Sequence, residues 1–275
     1  MRYLPVALTG VVAAGLALLT ASGTIAQPLT KAAMQEFMLT ADIVASEPIG
    51  KGVTHPWRLT LSDGAFSHDV AFQSVNRKRD RQRLGLRTEL EFVDAYRYNI
   101  AAYRIAELLG IGHMMPVTVE RAWKGIRGAM SWWVDNVMMD EQERDGLDDG
   151  DENKWPNDIQ DFYRQKSRML VFAELVYDTD RNKGNVVYDE DWKHWMIDFS
   201  RAFRLWHELQ APANIPQCDR DFLERMRGLT RAGLRERAGE YLTAWEMNAV
   251  LDRRDKLVEH FELLIEQKGE RLVLY

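Results

Sequence analysis

The chain has 275 residues, 46% apolar and 28% charged, enough for one two-lobed domain or two small ones. A formal net charge of −6 argues against a dedicated nucleic-acid binder, which presents a basic face. A single cysteine, Cys218, excludes an intrachain disulfide, and with no Cys-His signature around it the residue reads as a small buried apolar group.

Residues 1–26 read as a secretory signal peptide. Arg2 supplies the positive region, Val6 to Leu19 is almost wholly apolar, and Thr24-Ile25-Ala26 suits cleavage before Gln27. The apolar run falls short of the ~20 residues a membrane span needs. The expected location is therefore secreted, periplasmic or the lumen of a secretory pathway, with no stable membrane span after cleavage.

Residues 27–134 read as a small strand-rich lobe. A glycine pair around Lys51 (Gly50-Lys51-Gly52) marks a loop, and Leu59 to Val75 reads as a hairpin turning at Asp63-Gly64. The basic run from Arg77 to Arg87 reads as a solvated loop. Asp94 to Leu109 has helical apolar spacing and stops at Gly110. Val117–Trp123 and Ala129–Val134 read as strands. Residues 135–158 form an acidic connector. Its Asp145 to Asp151 stretch fails the calcium-loop template, because Leu147 stands at a ligand position and Pro156 where the bidentate Glu belongs.

Residues 159–275 read as a helical lobe, interrupted after Val176 by a loop and two short strands. That interruption carries the chemistry. Asp180 and Asn185 stand five residues apart in Asp180-Arg-Asn-Lys-Gly-Asn185, and Asp198 follows thirteen residues later in Ile197-Asp198-Phe199-Ser200. Phosphoryl transfer from a nucleotide needs a carboxylate for the attacking hydroxyl, and an amide oxygen with a second carboxylate for the metal. No His-Glu-x-x-His or Gly-x-Ser-x-Gly appears, so a zinc hydrolase and an α/β-hydrolase are not expected.

These segments resemble the catalytic and metal loops of the atypical kinases, the phosphatidylinositol 3-/4-kinase, HipA-like and Golgi secretory-kinase types. The resemblance implies an α+β, two-lobed protein-kinase-like fold and ATP with Mg²⁺ or Mn²⁺. Carried over, Asp180 is the catalytic residue, Asn185 binds nucleotide and metal, and Asp198 binds the metal. The acceptor is a hydroxyl-bearing molecule.

Two positions depart from the family pattern. Gln73 stands where a phosphate-touching Lys is expected, which leaves Lys51 or Lys78 to supply the charge. Asn99 stands where a Glu would partner that Lys, with Glu89 and Glu91 as nearby substitutes. The alternatives implied are a weak or inactive pseudokinase that binds a nucleotide or a partner, and a transferase of the nucleotide's AMP part. A chance match of the loop in an unrelated secreted protein is the remaining reading.

Overall fold

The computed structural model describes residues 29–50, 54–84 and 86–275; the segment read as a signal peptide and Lys51 lie outside the described residues. The first lobe opens with helix α1 (Lys31–Thr40), whose first turn is capped by the Thr30 hydroxyl accepting from the Ala33 N–H at 3.2 Å. Strands β1 (Asp42–Pro48), β2 (Trp57–Ser62) and β3 (Ser67–Gln73) follow. Strands β4 (Asn76–Leu84) and β5 (Arg87–Ala95) then lead into helix α2 (Arg97–Leu108), and strands β6 (Thr118–Trp123) and β7 (Ile126–Trp132) complete the lobe.

The main sheet is antiparallel in the order β1-β2-β3-β7-β6. Alternation decides its buried face: Leu59 and Leu61 on β2, and Val70 and Phe72 on β3, point into the core. Gly128 lets β7 approach β3, since a Cβ there would lie 2.6 Å from both the Gln73 carbonyl oxygen and the Phe72 ring. Helix α2 is buried on nearly every side, through Tyr98, Ile100, Ala101, Ala102, Tyr103 and Ile105, and it contacts both β6 and β7 of the sheet and the helical second lobe.

The basic run departs from its expected form. It is strand β4, paired antiparallel with β5 so that Arg77 lies opposite Asp94 and Arg83 opposite Thr88. Most β4 side chains are exposed, so neither face is apolar and the sequence shows no period-2 signal. In the same way Asp94 belongs to β5, and α2 begins at Arg97.

The acidic connector holds strand β8 (Val137–Asp140) and helix α3 (Glu141–Asp145), which opens on an Asp140/Glu143 capping box. Helix α4 (Ile159–Val176) carries Phe162, Met169 and Phe172 into the core. Strands β9 (Val186–Asp189) and β10 (His194–Met196) join β8 in the order β10-β9-β8. Helices α5 (Arg220–Arg227), α6 (Arg231–Ala238), α7 (Ala244–Lys268) and α8 (Glu270–Val273) complete the second lobe. Arg253 on α7 is fully buried and donates to the carbonyls of Leu175, Arg204 and Trp206, which fixes the end of α4 and the segment after Ser200. Cys218 is buried, and burial pushes its thiol up, away from thiolate chemistry.

Candidate active site

Helix α4 ends on Tyr177, which adopts the left-handed conformation at φ 49° and turns the chain sharply into Asp178. The Asp178 side chain has no exposed surface and pairs with Arg181 at 2.8 Å. Burial pushes its carboxyl up, and the Arg181 charge opposes that shift. One Asp178 oxygen accepts the Asp180 N–H at 2.9 Å, so the loop is wound around this carboxylate.

Arg181 ties that loop to the segment that follows β10. Its Nη1 donates to the Asn185 carbonyl at 2.7 Å, and its Nη2 donates to the Ile197 and Asp198 carbonyls, each at 2.8 Å. The guanidinium also lies 4.3 Å from the Phe199 ring centroid. The Asn185 amide nitrogen donates to the Asp180 carbonyl at 2.9 Å, which leaves its side-chain oxygen as the atom able to take a cation. Asp198 is left-handed at φ 52°, a conformation that costs an Asp roughly 1–2 kcal/mol and recurs at functional sites.

The sheet side of the site is neutral. Gln73, the last residue of β3, donates to Asp198 Oδ2 at 3.2 Å. Its own oxygen accepts from Asn99 on α2 at 2.6 Å, and Asn99 Oδ1 accepts the Phe199 N–H at 2.6 Å. The two departures from the family pattern therefore form one chain of amides that ends on Asp198.

Asp180 is partly exposed and meets Arg201 at 2.9 Å. The other arm of Arg201 reaches Glu89 at 2.8 Å, and Arg204 Nε reaches the same carboxylate at 2.8 Å. Burial alone would raise the Glu89 carboxyl, but the combined pull of Arg204 and Arg201 holds it below its ordinary value. Glu89, weighed in the sequence as a partner for a phosphate-binding Lys, pairs with both of these arginines. A cavity of about 340 Å³ lies beside this contact, lined by Thr88, Glu89, Tyr177, Thr179, Trp206 and Gln210 among others.

The structure brings Gln73, Asp180, Asn185 and Asp198 into one bonded constellation. Two participants carried no sequence signal for a role here, Arg201 and Asp94, and Arg181 stood in the loop motif without an assigned role. Asp94 is 3% exposed on β5, near Asp198, and burial followed by the Asp198 charge raises its carboxyl. The Asn99 and Gln73 amides were legible only as absences of charge, and their bond to each other was not.

No protein-family model and no curated protein sequence matches the chain. Solved structures do match its fold. A hydra Fam20 protein solved with sugar aligns with a TM-score of 0.66 at 15% identity, covering 89% of this chain and 91% of the other. The Golgi casein kinase with Mn/ADP bound gives 0.63 at 13% identity, covering 89% and 78%. At these identities the likeness is one of fold, and it agrees with the architecture that the loop motifs imply: the chain has the two-lobed fold of the atypical, secretory-type kinases.

Proposed function

We propose that this chain is a kinase-like phosphotransferase that uses ATP with Mg²⁺ or Mn²⁺ to modify a hydroxyl acceptor. The observation that carries the reading is the Arg181 fork, which holds the Asp180–Asn185 loop against the Asp198 segment. Asp180 orients or deprotonates the acceptor hydroxyl. The acceptor oxygen then bonds to the transferred phosphorus, the bond to the departing nucleotide oxygen breaks, and the hydroxyl proton leaves to Asp180 or water. The Asn185 oxygen and the Asp198 carboxylate suit a hard divalent ion. Among the described residues no group of three or more His, Cys, Asp or Glu forms a ready metal cage, so the ion would need ligands beyond the protein's carboxylates and imidazoles. An ion held by Asn185 and Asp198 would supply positive charge against the charge that develops on the phosphate oxygens.

Lys51, outside the described residues, is the sequence's candidate for the cation missing at Gln73. The proposed location is secreted, periplasmic or a secretory lumen, resting on residues 1–26. Among the described residues no helix is long and apolar enough to cross a membrane.

The neutral Gln73–Asn99 pair favours a second reading: a pseudokinase that binds nucleotide without transfer, or a transferase of the AMP part. A thermal-shift titration of residues 27–275 with ATP and Mg²⁺ or Mn²⁺, beside Asp198→Ala, tests the first step. Nucleotide at about 100 times its dissociation constant adds roughly 2.7 kcal/mol. A metal-dependent shift that is lost in the variant supports the site, and mass analysis of acceptor products then separates phosphoryl from AMP transfer. No shift with any nucleotide sinks the enzyme reading.

A further inference from the structure

We infer that Asp94 is a second carboxylate ligand for the divalent cation, acting through its Oδ1 beside Asp198. The inference rests on the nucleotide–metal reading above and goes one residue beyond it. Asp94 is 3% exposed, and its Oδ1 is buried with no hydrogen-bond partner. A buried carboxylate oxygen left without a partner is costly, and native structures keep such groups where something else satisfies them.

The backbone carries Asp94 to the metal segment. The next residue, Ala95, donates its N–H to the Ser200 carbonyl at 2.8 Å, so the end of β5 pairs with the chain just after Asp198. Ser200 then serves both carboxylates. Its N–H donates to Asp198 Oδ1 at 3.1 Å, and its side chain hydrogen-bonds Asp94. Two acidic groups on one serine repel each other unless a cation lies between them.

The nearest cations act on Asp94 through charge, Arg201 and the Arg77 that lies opposite it across β4 and β5, yet neither gives its Oδ1 a hydrogen bond. Arg201 spends its two terminal nitrogens on Asp180 and Glu89, and Arg181 spends its guanidinium on Asp178 and three carbonyls. Gln73 and Asn99 bring no charge to Asp198. The rival occupant of the Asp94 oxygen is the Arg201 Nε, which is also buried and without a partner.

The two occupants predict opposite behaviour for Asp94→Asn. A cation ligand predicts that the metal-free variant melts at the same temperature as the parent or higher, because a buried carboxylate oxygen without a hydrogen bond is gone. It also predicts that Mn²⁺ affinity in the presence of ADP, read from the electron paramagnetic resonance of free Mn²⁺, falls at least tenfold. A melting temperature that drops, with Mn²⁺ affinity within twofold of the parent, assigns Asp94 to Arg201 and overturns the inference alone. A parent chain that binds no Mn²⁺ with any nucleotide overturns the nucleotide reading and this inference with it. Fe²⁺ with ascorbate and peroxide offers a check that needs no variant, because it cleaves the backbone next to the bound metal. Cuts at both Asp94 and Asp198 support the shared site, and cuts at Asp198 only refute it.

Discussion

The segment around Asp198 is held from two sides that differ in kind. From the helical lobe the contact is ionic: a buried Asp178–Arg181 pair sends three charged hydrogen bonds into the loop backbone. From the sheet lobe the contact is a relay of neutral amides, Asn99 to Gln73 to Asp198. Both sides fix position, but only the first carries charge. Under the proposed function, phosphate charge at this site would be answered by a metal or a distant Lys and not by the sheet lobe.

The largest effect is expected from breaking the ionic side. Arg181→Leu leaves Asp178 buried and unpaired, and should cost about 3–5 kcal/mol in chemical denaturation. A loss under 1 kcal/mol would mean that the ion pair is not what shapes the loop. Acid tests the same lobe by another route. His194 on β10 is fully buried, with both ring nitrogens lacking a partner. Burial, then the charges of Lys166 and Arg144, push its pKa down from 6.5 to about 3. The unfolded chain therefore binds a proton below pH 6.5 that the folded one refuses. Stability is full above that pH and falls by about 1.4 kcal/mol per unit toward pH 3, or about 2 kcal/mol by pH 5. His194→Phe should flatten that slope, and an unchanged slope would exclude His194 as its source.

The neutral side can be sharpened by restoring charge. Gln73→Lys with Asn99→Glu places an ion pair where the amides now meet. If phosphate charge is the deficit, ATP should bind about tenfold tighter by calorimetry, the scale of one added charge-assisted hydrogen bond. Unchanged affinity would show that the cation comes from elsewhere. The smallest effect concerns Lys183, whose Nζ pairs with Asp145 of α3 at 2.5 Å and is 59% exposed. The Lys183 and Arg144 charges hold the Asp145 carboxyl down, at about 2, against the opposing effect of burial. A double-mutant cycle of Asp145→Asn with Lys183→Met should find at most about 1 kcal/mol of coupling.

The parts of the site that chemistry constrains in type were legible in the sequence. Asp180, Asn185 and Asp198 carry the resemblance by type and spacing, the structure brings them together, and the kinase-like fold followed from the order of lobes around them. Contacts that depend only on folding were not legible. Arg181 belongs to the loop motif, but that its fork joins the loop to the Asp198 segment was not legible. Strand β4 hid because exposure on most positions leaves no hydrophobic period. Helix α1 and strand β1 went unread beside the leader-like segment. From the sequence Asp94 reads as the start of a helix, so its place opposite Arg77 and beside Ser200 is visible only where β5 is paired.

Glu89 sits on a strand of the first lobe, and both of its arginines sit in the second. Separating the lobes therefore means pulling one largely buried carboxylate from two guanidinium groups at once. Salt screens such a contact far less than an exposed one. The Arg97–Glu246 pair also joins the lobes, so the two halves should breathe slowly even in concentrated buffer, and a nucleotide at the proposed site would leave no faster than these contacts let the lobes part.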